Sequence, residues 1–247
     1  VAPLRVLQVS DCHLSRDPEA DYRSQRPDAN LQALSGAVRA FAPDWLVMTG
    51  DLSEDASPDS YRRLVDWARP FGVPIAWLPG NHDERDVMAP IFDAAGWTAG
   101  PVLELGGWEL VLLDSAWSGR PSGELDEDRL RPLDQLSGCG RVGVFVHHQP
   151  VPVGAAWIDK VPLEHADRFW QRAAKMESLE FIAFGHVHQR FRAVRRVDGA
   201  DVTCLSAPST AANSVPGTAR FSPGETTPMA RWFVLDDRGF HSGILAG

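Results

Sequence analysis

The sequence predicts an α/β protein in which mixed sheets are covered by helices, within one domain spanning residues 1–247. Up to Gly185, short and nearly continuous apolar runs alternate with helix-period segments. Beyond it the texture changes to strands in close succession, as in an antiparallel run. Hydrophobic residues make up 44% of the 247, enough to bury a substantial core.

The elements follow in order. Leu4–Val9, Trp45–Met48 and Ile75–Leu78 read as the first three strands, and Leu110–Leu113, Val142–Val146 and Phe181–Phe184 as the next three. Unbroken apolar runs bounded by turn residues suit strands buried on both faces. Ala29–Phe41 reads as a helix. Ser57-Pro58 supplies a cap and a first-turn proline for a second, whose Tyr61, Leu64, Val65 and Ala68 form an apolar stripe. Glu164–Met176 reads as a third helix through Ala166, Phe169, Trp170 and Ala173. The late strands are Phe191–Val197, Asp201–Leu205, Arg231–Leu235 and Phe240–Leu245, with a turn at Val197-Asp198-Gly199. Leu14–Pro27 and Asn213–Pro228 read as irregular, the latter as a long Gly/Pro/Ser/Thr-rich loop.

Charge and cysteine usage narrow the function classes. The net charge is −9 and no basic run is longer than Arg195-Arg196, which disfavours a nucleic-acid polymer as partner. A small phosphate ester stays compatible, because bound cations reverse the local field. Cysteines at 12, 139 and 204 form neither a disulfide framework nor a zinc pattern, so a reducing, cytoplasmic compartment is expected. No signal-peptide pattern is visible, and no apolar stretch approaches the roughly 20 residues of a membrane helix, so no membrane association is expected. Oligomeric state is not fixed by the sequence; a homodimer is one possibility among others.

The chemistry is concentrated at strand ends. Asp11-Cys12-His13, Gly50-Asp51, Gly80-Asn81-His82-Asp83, His147-His148 and Gly185-His186-Val187-His188 hold six of the eight histidines. Each block follows an apolar strand, and the carboxyl ends of strands in open α/β sheets face a common crevice. Carboxylates, imidazoles and one amide gathered there suit two hard or borderline cations. Asp11 and His13 end the first strand, so side-chain alternation points both one way and Cys12 the other. Asp51 has two oxygens and can bridge two cations, with Gly50 allowing the sharp turn beside it. Asn81 offers a neutral carbonyl oxygen. His82 can donate a proton, with Asp83 to fix its tautomer. By the same alternation only one of His147 and His148 is a ligand; His147 is the choice and His148 supports it. His165 and His241 carry no assigned role. Glu54, Asp55 and Asp126–Asp128 read as solvated surface and helix-start charge.

This ordered set resembles the calcineurin-like metallophosphoesterase superfamily across about residues 5–190. Finer segments are similar to bacterial class III cyclic-nucleotide phosphodiesterases: Thr49–Ser53, Trp77–Asp83, His147–Pro152, Trp157–Asp159, Gly185–Gln189 and Pro208–Thr210. The resemblance implies a four-layer α/β/β/α sandwich of two mixed sheets flanked by helices. It implies one metal on Asp11, His13, Asp51 and His188, and a second on Asp51, Asn81, His147 and His186, with Asp51 bridging. His82 would contact the phosphate and assist the leaving group, with Asp83 behind it. Mn, Fe and Zn are the metals implied. After Thr210 the chain departs from the subfamily, at Ala211–Ser214, Pro216–Pro228 and Met229–Trp232, segments that would shape substrate access.

The expected activity is hydrolysis of a small phosphodiester, with 3′,5′-cyclic AMP to 5′-AMP foremost. Two cations sharing a water lower its pKa, and the hydroxide attacks phosphorus in line with the departing oxygen. A glycerophosphodiester, a nucleotide or a phosphomonoester is the alternative substrate. A non-catalytic scaffold would have lost ligands, and none is lost here; a nuclease would need basic surface. Trp157 or Trp117 could stack on a base, although packing roles are the simpler reading.

Overall fold

A computed structural model describes residues 2–176 and 178–247. Its strands are β1 (Leu4–Val9), β2 (Trp45–Thr49), β3 (Ile75–Leu78), β4 (Val102–Leu105), β5 (Trp108–Leu113), β6 (Gly123–Glu124), β7 (Arg141–Val146), β8 (Leu163–Glu164), β9 (Leu179–Phe184), β10 (Phe191–Val197), β11 (Ala200–Ser206), β12 (Met229–Asp236) and β13 (Gly239–Ala246). Its helices are α1 (Pro27–Phe41), α2 (Pro58–Ala68), α3 (Arg85–Ala94), α4 (Glu127–Leu130) and α5 (Ala166–Ala173). One sheet has the order β13-β12-β1-β2-β3 and the other β10-β11-β9-β7-β5-β4; β6 and β8 form a short pair. Both large sheets are mixed. β1, β2 and β3 run parallel, as do β5, β7, β9 and β11, while β12, β13, β4 and β10 join antiparallel.

Strand parity builds the layers. Leu7, Val9, Leu46 and Met48 pack with residues of α1, α2 and α3, such as Leu34, Leu64 and Phe92. Their neighbours Val6 and Val47 turn instead into a core shared with Leu110, Phe145, Phe181 and Phe233. On the far side Val144, Val146, Ile182 and Phe184 pack with Leu130 and with Phe169 and Trp170 of α5. The result is the expected four-layer α/β/β/α sandwich, and the unbroken apolar runs are unbroken because each strand is covered on both faces. Buried Gln8 ties the sheets together at the crevice end: its Nε2 donates to Thr49 Oγ1 at 2.9 Å and to the Phe184 carbonyl at 3.3 Å.

Four differences have local causes. α3 has no counterpart in the sequence reading. It carries Pro90 in its interior and buries only Met88 and Phe92, so its apolar stripe is short. β4 is half-exposed and acidic at Glu104, which hides it among loop residues. β6 and β8 are two residues each, too short for any period. α5 covers a narrower span than the Glu164–Met176 expected, beginning only after His165, which sits at φ 52°. Ser57 caps α2 as expected, accepting from the Ser60 amide at 3.3 Å.

Candidate metal centre

The parallel strands β1, β2, β3, β7 and β9 all end on one side of the sandwich, and the five polar blocks follow them. Asp11 and His13 lie beyond the end of β1, but their backbone is not extended. Asp11 has φ 55° and His13 φ 46°, and Asp51, His186 and His188 also occupy the left-handed region at 50°, 65° and 52°. Strand alternation is therefore not what aims them. Cys12 does turn into the helix-side core with Leu7 and Val9, and Asp11 and His13 do converge, but through tight left-handed steps. Each such step costs on the order of 1–3 kcal/mol, so the surrounding structure must hold it. It does so through amide bonds between the β1 and β2 ends: Asp11 N–H to the Gly50 carbonyl and His13 N–H to the Asp51 carbonyl, each at 3.0 Å. Glycine is required at the turns that face each other. A Cβ on Gly80 would stand 2.2 Å from Asp51 Oδ1, and one on Gly50, at φ 87°, would stand 2.6 Å from His147 Nδ1.

Each imidazole spends one nitrogen on an anchor. His13 Nδ1–H donates to Glu54 Oε2 at 2.7 Å, His188 Nδ1–H to the Ala212 carbonyl at 2.7 Å, His147 Nδ1–H to the Thr49 carbonyl at 2.7 Å, and His186 Nε2–H to the Val161 carbonyl at 3.0 Å. These bonds fix the tautomers and leave the opposite nitrogens bare. His13 Nε2 and His188 Nε2 then face each other at 3.1 Å. Two lone pairs at that separation repel unless a cation lies beside both. Nitrogen ligands at about 2.1 Å from one ion stand about 3 Å apart. Asp11 Oδ1 is 3.3 Å from His188 Nε2, and Asp51 Oδ2 is 3.9 Å from His13 Nε2 and 3.3 Å from His147 Nε2. Asn81 Oδ1 and His147 Nε2 are buried without a hydrogen-bond partner among the described residues. Donor atoms of Asp11, His13 and His188 cluster within 4.8 Å, as do those of Asp11, Asp51 and His147. Two of these three-residue sets share Asp11, and a third joins His13, Asp51 and His82. Orphaned lone pairs on buried N and O atoms fit divalent cations.

The electrostatics agree. Burial works against the charge on Asp51, but His147, then His13 and His82, hold its carboxyl well below the usual range. Burial likewise opposes ionised Asp11, and His188 outweighs it. His186 is pushed down to about 3, first by burial and then by His147; His148 and His13 are also lowered, by burial above all. His147 differs: burial opposes its charge, but the adjacent Asp51 carboxylate lifts it to about 9. Anionic Asp11 and Asp51 beside neutral His13 and His186 are the protonation states that bind cations, whereas His147, which Asp51 holds protonated in the metal-free site, gives up its Nε2 proton when a cation binds there.

Three residues stand differently from the sequence reading. Asp83 does not face His82. It accepts from the amides of Gly80 at 2.9 Å, Ser53 at 3.0 Å and Leu52 at 3.1 Å, and from Tyr61 Oη at 3.1 Å. It therefore clasps the Asp51 turn to the Asn81 turn, and burial together with the Asp51 charge pushes its carboxyl up to about 6. The carboxylate at His82 is Glu54, 3.2 Å from His82 Nδ1 and shared with His13. The sequence alone places Glu54 on solvated surface; the signal for its role is its place three residues past Asp51 in the same rim turn. His148 lies past the end of β7, so alternation does not set it apart. Its Nδ1 meets Ser115 Oγ at 2.8 Å, its Nε2 is buried without a partner among the described residues, and it clusters with His147 and His186.

Two outcomes follow from these contacts. Asp83→Ala strands four buried donors, and a loss of about 3 kcal/mol or more is expected in chemical denaturation. Glu54→Gln is expected to weaken metal binding or turnover roughly 10–100-fold. Titration of the metal-free protein with Mn would show the first, steady-state rates the second; wild-type values in both would remove Glu54 from the site.

The model of the calcineurin-like phosphoesterase family matches residues 4–190. This chain belongs to the calcineurin-like phosphoesterase family. It is accordingly a metal-dependent phosphoric ester hydrolase. Relatives extend the match beyond that span. The chain is 32% identical over 243 residues to the 3′,5′-cyclic adenosine monophosphate phosphodiesterase CpdA of Pseudomonas aeruginosa, covering 96% of this chain and 88% of that one. It is 34% identical over 210 residues to a probable cyclic nucleotide phosphodiesterase of Synechococcus sp., covering 84% and 81%. Among solved structures, a dimetal phosphatase from Danio rerio superposes with a TM-score of 0.69 at 14% identity, over 98% of both chains, which is a likeness of fold. Among the described residues, no helix is long and apolar enough to cross a membrane.

Proposed function

We propose that this phosphoesterase hydrolyses a small phosphodiester at a dinuclear centre, with 3′,5′-cyclic AMP converted to 5′-AMP. The observation that carries the dinuclear reading is the set of bare, buried donors around Asp51. Asp11, His13, Asp51 and His188 would hold one cation, and Asp51, Asn81, His147 and His186 a second, Asp51 being shared. Mn, Fe or Zn suits this mixture of imidazole, carboxylate and amide. The choice of cyclic AMP is supported by relatives similar along nearly the whole chain.

When bound, the cations supply charge to the phosphate oxygens and acidify a water. The remaining work belongs to side chains. In the hydrolysis a water oxygen bonds to phosphorus while the bond from phosphorus to the 3′-oxygen breaks, and that oxygen needs a proton. His82 is placed to give it. Its amide donates to Asp51 Oδ1 at 2.9 Å, which fixes the backbone at the centre, while its side chain remains 36% exposed and open to substrate. Glu54, 3.2 Å from Nδ1, orients the ring.

The deciding experiment is hydrolysis of 3′,5′-cyclic AMP by Mn-loaded protein, with products resolved by chromatography. Formation of 5′-AMP is expected. Absence of turnover, with activity kept on an activated aryl diester, would overturn the cyclic-nucleotide assignment and direct attention to glycerophosphodiesters, nucleotides or monoesters.

A further inference from the structure

Three segments that none of the metal-ligand blocks covers meet beside the His13–His188 pair. Tyr22, from the irregular stretch after His13, lies flat on the His13 ring, with centroids 4.0 Å apart and planes at 10°. The guanidinium of Arg23 stands 3.8 Å from the centre of the Phe221 ring, 5.4 Å from that of Tyr22 and 5.6 Å from that of Trp157. Trp157 and Phe221 meet edge to face at 5.4 Å, and Phe221 approaches the His188 ring at 6.5 Å. The loop after β1, the loop after β7 and the long 213–228 stretch thus form an aromatic rim one ring away from the metal ligands.

Two hydrogen-bond donors in this rim have work to spare. Trp157 Nε1 is buried without a hydrogen-bond partner among the described residues. Arg23 Nε donates to Tyr22 Oη at 3.0 Å, but among the described residues no carboxylate pairs with its guanidinium, in a chain with 33 acidic residues against 24 basic ones. The backbone adds an independent sign. Tyr22 and Gln25 exchange amide bonds at 2.9 and 3.0 Å, with Arg23 at φ 52° and Ser24 at φ 63° between them. That is a tight two-residue turn with positive φ at both corners, where Asn-Gly is favoured. Arg and Ser there hold strain, and strain of this kind gathers at functional sites.

We propose that Tyr22, Arg23, Trp157 and Phe221 form a recognition cap for the part of the ester that does not react, and that this part is a planar heteroaromatic ring bearing hydrogen-bond acceptors, such as a nucleobase. The inference rests on the nucleotide reading above. Ring faces and a guanidinium plane stack on such a ring, and the spare N–H groups match its acceptor nitrogens. A phosphate held at the ligand cluster leaves the far end of a nucleotide to be met by the surface one ring outward.

The test compares adenosine 5′-monophosphate with inorganic phosphate as inhibitors of Mn-loaded protein, using an activated aryl diester as reporter. In the wild type the nucleotide is expected to bind roughly tenfold or more tighter than phosphate, the size of one base-stacking contact. Arg23→Gly suits the turn, so it is expected to raise the unfolding temperature while collapsing that ratio, and Phe221→Ala to collapse it from another segment. Equal inhibition by the two compounds in the wild type overturns the cap, as does an unchanged ratio in both variants. A wild type that leaves cyclic AMP intact, yet shows the ratio and loses it in Arg23→Gly, keeps the cap and removes the cyclic-diester reading alone.

Discussion

Asp51→Asn is expected to lose at least one equivalent of bound metal and to lower turnover by roughly a thousandfold, the effect of several kcal/mol of lost charge stabilisation. The size follows from position. Asp51 is the carboxylate on which His13, His147 and the His82 amide all converge. An amide in its place keeps the volume and one acceptor oxygen but removes the charge. Its NH2 group also turns a donor toward nitrogens that need a cation. Metal content by elemental analysis and rate on an aryl diester read the two effects separately. Two full equivalents together with wild-type turnover would sink the bridging role.

His82→Ala is expected to behave in the opposite way, keeping both metals and losing rate by roughly 10²–10⁴-fold. The loss should grow as the leaving group becomes poorer, because only a poor leaving group needs the proton. His82 reaches the site through its ring and not through a buried anchor, so removing it leaves the packing intact. A series of aryl and alkyl diesters reads the dependence. Equal losses across the series would assign His82 to phosphate binding alone, and unchanged turnover on every ester would remove it from the chemistry.

The Asp83 result separates the two kinds of residue at this rim. The tetrapeptide Gly80-Asn81-His82-Asp83 was legible as a unit, but the division of labour within it was not. Asp83 bonds to amides in two different turns and to the Tyr61 hydroxyl, contacts that exist only once β2, β3 and α2 have packed. Glu54 was hidden for the same reason, since nothing in Ser53-Glu54-Asp55 distinguishes a carboxylate in solvent from one held between two histidines. The alternation argument for Asp11 and His13 failed because it carried strand geometry past the end of β1, where the backbone enters the left-handed region, and for His147 and His148 it was carried past the end of β7 at Val146. α3 and β4 were missed because short or half-exposed elements carry too little periodic signal.

By itself the sequence determined the α/β class, the boundaries of most core strands to within a residue or two, and which polar blocks sit at their ends. These properties are local: apolar runs, turn residues and motif spacing are written along the chain. Only the tertiary structure decided which ring nitrogen of each histidine is bare, which carboxylate serves His82, and that Tyr22, Arg23, Trp157 and Phe221 share one rim. Those facts depend on contacts between segments far apart in sequence, and such contacts come into being only when the two sheets close on their common core.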